Sequence, residues 1–466
     1  AEKGTCAIVI LPRVPAWYEV VIGCIKAGVV AMPGTNLLTA KDIEYRINHS
    51  AASLAIVSSE HISKIESIRA RCPSLRHLIL VGNKQHGWID YANACVQESE
   101  VCERDTMPRS RSDDMMMAYF TSGTTSLPKM VPRNHGYALA HTVTGKFWMD
   151  LRQHDVHWTL SDTGWAKAAY GKLFGQWTQG AAVLQHDARG RFDPALTLKI
   201  VERYGVTCFC APPTAYRMLV LEDLAKYDLG SLRHCTGAGE PLNPEVMKIW
   251  EDGTGLTIYD GYGQTETVLL VGNFRCLPVR PGSMGKPSPG FTVAIVDEDG
   301  EELPYGQEGQ IAVKVKPERP VGLLREYWKY PEGMEAAFFG DWYLTGDKAY
   351  KDEDGYFWFV GRADDVIISA SYRIGPFEVE SALIEHPSVA EAAVVGKPNR
   401  ERGQIVKAYI ILAPGFTGSD ELTEQIQAHV KSVTAPYKYP REIEYVEELP
   451  KTISGKIRRV ELREAE

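Results

Sequence analysis

Hydroxyls crowded around a glycine and followed by a lysine make a loop that can wrap a polyphosphate. Thr121, Ser122, Gly123, Thr124, Thr125, Ser126, Leu127, Pro128 and Lys129 form such a run directly after the apolar stretch MMMAYF. The spacing is not that of a Walker A loop, and an ordinary Ser/Thr turn is the plain alternative. A second run, Asp260, Gly261, Tyr262, Gly263, Gln264, Thr265, Glu266 and Thr267, sets an aromatic between two glycines. Its ring can lie against a flat base, and Glu266 offers hard oxygens to Mg²⁺, although a Gly-rich turn with a solvated Glu reads the same way. Thr345, Gly346 and Asp347 precede Gly361 and Arg362 by fifteen residues. A carboxylate at a strand end accepts both hydroxyls of a ribose and an arginine reaches the same sugar or a phosphate, unless both are surface turns. Near the C-terminus, Lys456 follows the small residues Ser454 and Gly455. Its mobile point charge suits an anionic transition state, with a solvated basic tail as the alternative.

Residues of this kind act together only if strands and helices hold them. Short β-branched runs alternate with amphipathic stretches, the pattern of a parallel sheet covered by helices. Strands are expected at residues 6–12, 53–58 and 75–82, and helices at 16–27 and 61–71. Between residues 290 and 316 two alternating runs predict an antiparallel hairpin, and beyond GRADD the pattern turns to compact α+β. The predicted fold class is a large N-terminal α/β domain with a small antiparallel β subdomain, followed by a small mobile α+β domain. The boundaries are 1–361 and 362–466, with the hinge near Asp364.

At about 150 residues per domain, 466 residues make roughly three units. With 44% hydrophobic residues and a net charge of -9, the composition excludes disorder, collagen and a coat for nucleic acid. The most apolar early stretch, residues 16–33, carries Glu19 and Lys26, so no membrane span is expected. Nine cysteines are scattered; Cys208 and Cys210 read as a buried strand in a reducing, intracellular compartment. His141, His157 and His234 read as structural or surface residues, and no spacing makes a metal site. Residues 431–463 hold eight basic and five acidic residues, a face suited to phosphates or simply a charged helix face.

Taken in order, TSGTT-x-x-PK, YGQTET, the TGD aspartate, GRADD and the terminal SGK resemble the signature series of the adenylate-forming superfamily, over essentially the whole chain. LPRVP, SDTGW at 161–165, YRIGPFEVE at 372–380 and KSVTAPYKYPR at 431–441 are similar to medium-chain acyl-CoA synthetases. The resemblance implies that Thr121 to Lys129 cover the ATP phosphates. It implies that Asp260 to Thr265 hold adenine and the α-phosphate, with Tyr262 stacked on the base and Gly237, Ala238, Gly239 and Glu240 on the other side. Glu266 would assist Mg²⁺, Asp347 and Arg362 would bind ribose, and Arg373 would contact the phosphate side. Lys456, with Thr265 and Glu266, would be catalytic, bridging the acid's carboxylate and the α-phosphate. CoA would meet Ala370, Ser371, Tyr372, Arg402, Lys431, Tyr439, Pro440 and Arg441 after the C-terminal domain turns about Asp364. The implied reaction is ATP-dependent formation of an acyl adenylate from a medium-chain or aromatic acid, then transfer to CoA. Its requirements are ATP, Mg²⁺ and CoA, in the cytoplasm or mitochondrial matrix. A homodimer is allowed by the sequence and not read from it.

Two positions depart from the family. Ser126 and Ser371 stand where glycine is expected, so the resemblance implies an intact adenylation and a hindered passage for the pantetheine arm at Ser371. Several tens of N-terminal residues of the family's larger domain are also expected upstream of Ala1. The segment after SDTGW, with Trp165, Lys167, Tyr170 and Trp177, is similar to the family's acid pocket, and Trp165 and Tyr170 are the pocket residues expected to limit chain length. The rival readings are an adenylation enzyme loading a carrier protein and a non-catalytic nucleotide-binding relative.

Overall fold

The computed structural model describes residues 1–99, 109–121, 127–188, 190–362, 365–369, 372–400, 402–452 and 456–465, and of Arg373 the backbone. Among these residues the strands form four sheets. The first contains β1 (Cys6–Ile10), β2 (Val30–Pro33), β3 (Leu54–Ser58), β4 (His77–Val81), β5 (Ile89–Asp90), β6 (Met115–Phe120) and β7 (Met130–Asn134), in the order β5-β4-β3-β1-β2-β6-β7. All its pairs are parallel except β6 with β7. The burial of every residue of β1 explains its unbroken apolar run, since helices cover both faces of a parallel sheet. The expected first helix is Pro15–Ala27: Pro15 starts it, Gly28 ends it at φ 69°, and Trp17, Val20, Val21 and Cys24 form its buried face.

The second sheet holds β8 (Val156–Thr159), β9 (Ala182–Val183), β10 (Cys208–Ala211), β11 (His234–Ala238), β12 (Ile258–Gly263), β13 (Leu269–Gly272) and β14 (Lys286–Pro287), ordered β14-β13-β12-β11-β10-β8-β9. Cys208 and Cys210 lie buried on β10 as free thiols, as their apolar setting predicts. In the third sheet β15 (Val293–Val296) pairs with β16 (Gly309–Lys314), the hairpin expected from the alternation. It continues through β17 (Phe338–Phe339), β18 (Trp342–Lys351) and β19 (Phe357–Arg362), all antiparallel.

The fourth sheet, of the C-terminal domain, contains β20 (Ile367–Ser369), β21 (Tyr372–Ile374), β22 (Val389–Asn399), β23 (Gly403–Leu412) and β24 (Glu442–Tyr445). Helix Asp420–Val433 packs on it through Leu422, Ile426 and Val430, one stripe at four-residue spacing, and Ser419 caps its start. A further helix, Pro376–Ile384, starts where Gly375 and Pro376 supply its N-terminus, and past its end the chain turns into β22. No helix among the described residues is long and apolar enough to cross a membrane.

Candidate active site

Two cavities meet where the C-ends of β11 and β12 face the C-terminal domain. One, of about 570 Å³, is walled by Thr121, Lys129, Asp260, Tyr262, Asp347 and Arg362 among others, and the C-terminal domain closes it with Glu380 and Arg459. The other, of about 830 Å³, runs inward past Trp165, Tyr170, Tyr137, His141 and Trp148. Gly239, Glu240, Gly261, Gly263, Gln264, Thr265 and Lys456 line both. They form the shared wall.

The loop between β6 and β7 is closed at its neck, where the Thr121 N–H donates to the Lys129 carbonyl at 2.9 Å. The Lys129 ammonium lies 4.9 Å from the Tyr327 ring centre and 5.2 Å from that of Tyr330. Pro128 accepts from the Tyr45 hydroxyl at 3.0 Å, and Leu127 is exposed. Ser122, Gly123, Thr124, Thr125 and Ser126 lie outside the described residues.

β11 and β12 run side by side with Gly237 opposite Asp260 and Ala238 opposite Gly261. Gly237 is buried within β11 and lines neither cavity, unlike its neighbours Ala238, Gly239 and Glu240. Glu240 pairs with Arg217 at 3.3 Å. A Cβ on Gly261 would lie 2.7 Å from the Trp148 ring and the Leu269 side chain, so this position must be glycine for β12 to run past them. Burial pushes the Asp260 carboxyl up to about 7, against the Gly261 N–H at 2.9 Å and the charge of Lys167.

Asp347 differs from its expected place at a strand end. It lies inside ten-residue β18, beside Gly346 at φ +75°, directly opposite Arg362 of β19. The positive φ turns the strand locally and the fifteen-residue spacing becomes a cross-strand pair. The Tyr262 hydroxyl donates to Asp347 Oδ2 at 2.6 Å and Gln264 Nε2 to the same atom at 2.7 Å, so neither engages Oδ1. Burial raises the Asp347 carboxyl above the usual range, offset by Tyr262, Arg362 and Lys456. Gln264 in turn accepts from the Tyr343 hydroxyl at 3.0 Å and donates to the Thr345 carbonyl at 2.9 Å.

Glu266 Oε1 accepts from the Tyr327 hydroxyl at 2.9 Å, and its carbonyl takes N–H groups of Leu324 and Arg133. No cluster of three or more metal-binding side chains occurs among the described residues. A single half-committed carboxylate facing the smaller cavity fits a magnesium ion that arrives on phosphates, rather than one caged by protein.

Lys456 is tied to Thr452: its N–H donates to Thr452 Oγ1 at 3.1 Å, Thr452 N–H donates to its carbonyl at 2.7 Å, and Lys451 forms a β-bridge with Ile457. The basic excess of residues 431–463 is mostly spent internally. Lys438 pairs with Glu378, Lys451 with Glu391, Arg458 with Glu461, Arg459 with Glu380 and Arg463 with Asp365. Lys431, Arg441 and Lys456 form no carboxylate ion pair among the described residues and are what remains of the expected basic face.

Among the described residues, those expected at CoA line neither cavity. Lys431 and Arg441 flank the Tyr439 ring at 3.9 and 4.9 Å, Pro440 is buried, and the Arg402 N–H donates to Asn399 at 3.1 Å. Tyr372 stacks on Tyr437 at 4.1 Å. Ala370, Ser371 and Asp364 lie outside the described residues, and Arg373 is placed by its backbone alone, opposite Ile368.

Trp165 and Tyr170 line the larger cavity, whereas Trp177 is half-exposed beside Tyr18 at 5.6 Å. The Tyr170 hydroxyl makes no hydrogen bond among the described residues. Sequence reasoning missed the opposite wall, Tyr137, His141, Thr144 and Trp148. Their spacing, one helical face continued through a π turn at Thr144–Trp148, was the available signal. His141 is fully buried, its pKa pushed well below the ordinary value by burial, and it joins Thr144 Oγ1 at 3.3 Å. His157 and His234 are buried and bonded to Thr159 and the Trp148 carbonyl, the structural role expected.

Residues 1–328 match the family described as AMP-binding enzyme, and residues 378–456 match the AMP-binding enzyme C-terminal domain. The mitochondrial acyl-coenzyme A synthetase ACSM3 of Mus musculus is 49% identical over 100% of this chain and 80% of its own length. The mitochondrial acyl-coenzyme A synthetase ACSM4 of Homo sapiens is 48% identical with the same coverage. Among solved structures, the anthranilate CoA ligase AuaEII in complex with anthranoyl-AMP matches with a TM-score of 0.92 at 34% identity, covering 100% of this chain and 88% of that one. With its larger domain and its C-terminal domain both matched by family and its full length matched by relatives, the chain belongs to the AMP-binding enzymes, in the acyl-coenzyme A synthetase family of AMP-forming acid–CoA ligases.

Proposed function

We propose that the chain activates a medium-chain fatty or aromatic carboxylic acid with MgATP and passes the acyl group to CoA, releasing AMP and pyrophosphate. The observation that carries this reading is Lys456, which lines the wall of both cavities at once and so faces the two reactants. ATP fits the smaller cavity, with its phosphates toward Thr121 and Lys129 and its ribose hydroxyls on Asp347 beside Arg362. Glu266 would hold Mg²⁺ through its open oxygen. The ion, when bound, neutralises phosphate charge. The acid occupies the larger cavity, whose aromatic walls suit a chain or ring of limited length.

In the first step Lys456 holds charge on the oxygens exchanged at the α-phosphorus. For the second step the C-terminal domain, residues 362–466, would turn about Asp364, withdrawing Lys456. The position of Tyr372, Lys431, Tyr439 and Arg441 outside both cavities supports this, because a CoA site there needs such a turn to reach the acyl group. The curated relatives are named as mitochondrial, and the same compartment is proposed here.

Pyrophosphate release measured over a panel of acids, with and without CoA, tests the reading. Hexanoate and benzoate should support release, and CoA should accelerate turnover. Turnover that ignores CoA and needs a carrier protein would overturn it. Lys456→Ala should lose acid-dependent ATP–pyrophosphate exchange by about 100-fold or more while still passing acyl from supplied adenylate to CoA.

A further inference from the structure

Lys167 is a partly buried ammonium that faces no carboxylate at ion-pair distance among the described residues. It opens the helical stretch that carries Tyr170, and it lines the acid cavity beside the wall shared with the nucleotide cavity. Its Nζ donates to the Ala238 carbonyl at 2.5 Å, and a Cβ on Gly239 would approach it to 2.9 Å. Among the described residues no carboxylate forms an ion pair with it. Its charged neighbours are Glu240, Asp260 and Lys456. Glu240 is engaged with Arg217, and Asp260 accepts from the Gly261 N–H.

An ammonium partly withdrawn from water gains from an anion that replaces the lost solvent, and one carbonyl uses only one of its three donors. The acid substrate brings that anion to this place. Lys456 reaches the same junction from the C-terminal domain, whereas Lys167 belongs to the second sheet's layer, between β8 and β9. When the C-terminal domain turns, Lys167 stays.

We propose that Lys167 is a second catalytic cation, which holds the carboxylate oxygen destined to become the acyl carbonyl and stabilises the oxyanion formed there when CoA attacks. This rests on the two-step ligase reading above. In the first step the other carboxylate oxygen bonds to the α-phosphorus, the bond from that phosphorus to its bridging oxygen breaks, and pyrophosphate leaves with the electron pair. The remaining oxygen, now a carbonyl, keeps its bond from Lys167. In the second step the CoA thiol gives its proton to solvent and its sulfur bonds to the carbonyl carbon. The C=O π pair moves onto the oxygen beside Lys167. Collapse re-forms the carbonyl and breaks the bond to the phosphate oxygen, and AMP leaves with that pair. Because Lys456 is withdrawn by then, Lys167 is the cation that remains.

The test uses the full chain with hexanoate. Wild type, Lys167→Met and Lys167→Gln are compared in ATP–pyrophosphate exchange and in single-turnover transfer from added hexanoyl adenylate to CoA, with MgATP binding alone reporting an intact nucleotide site. Lys167→Met should slow transfer about 100-fold and raise the KM for hexanoate about tenfold, with MgATP binding held within about threefold. Lys167→Gln, which keeps neutral donors, should recover about tenfold of the lost transfer rate. If Lys167→Met fails to fold, Lys167→Gln against wild type carries the same comparison. Transfer within about threefold of wild type, or transfer lost in step with MgATP binding, overturns the proposal. A wild type that binds MgATP but cannot pass hexanoyl to CoA overturns the ligase reading, and the proposal with it.

Discussion

A carboxylate that is to hold two vicinal hydroxyls must be fixed in orientation while one oxygen stays open. Asp347 meets both conditions because Tyr262 and Gln264 share its Oδ2. Hydrogen bonds to a charged group contribute about 1.5–3 kcal/mol, so Tyr262→Phe should raise the KM for ATP about tenfold with little change in the KM for the acid. Steady-state kinetics with each substrate varied would check this, and equal rises in both would contradict it. Gly261→Ala should destabilise the fold by about 1–3 kcal/mol, because its methyl has no room against Trp148 and Leu269; urea midpoints measure it. At this scale the motif residues were legible because their types are set by ligand chemistry. What Tyr262 does with its hydroxyl was not, since that depends on a carboxylate 85 positions away that no local pattern names.

The elements around the larger cavity owe their shape to glycines and to two π turns, Thr144–Trp148 and Ala169–Leu173. At Gly145 an added Cβ would lie 2.2 Å from the Gly175 carbonyl, so the two helical stretches cross with backbones in contact. Gly145→Ala should push them apart, costing about 2 kcal/mol and raising the KM for the acid more than that for ATP. Thermal unfolding and paired kinetics check it, and an unchanged acid KM would sink the link to the cavity. Strands and amphipathic helices were readable here because burial imposes periods of 2 and 3.6. Tyr137, His141 and Thr144 keep that helical spacing, but no local pattern tells which cavity their face lines, which is why they went unrecognised as cavity wall. The helix around Lys167 and Tyr170 was found only through SDTGW.

Over the whole molecule the net charge of -9 conceals a set of histidines held neutral by burial. Burial pushes His157 down to about 3 and His234 down to about 4. Since the unfolded chain binds a proton at each near pH 6.5 and the fold does not, their stabilising share is present above pH 6.5 and is lost as pH falls toward 4. At pH 5 each should subtract on the order of 2 kcal/mol. His157→Gln should therefore flatten the fall in urea midpoint between pH 7 and pH 5, and an identical fall in both proteins would refute the assignment. The order of sheets followed from the alternation of elements. The internal pairing of the basic C-terminal segment did not, because partners such as Glu378, Glu380 and Glu391 lie about 60–80 residues earlier.

The cross-strand pairing of Asp347 with Arg362 carries one more consequence. Arg362 ends β19, and the chain's next strand, β20, already belongs to the fourth sheet. A sugar gripped by both residues, as proposed, would act as a brace across β18 and β19, stiffening the post on which the following domain hangs. On the proposed reading a bound nucleotide would serve as hardware as well as reactant: while it is in place the post would stand still as the door swings, and once AMP departs the frame would slacken and reset for the next turn.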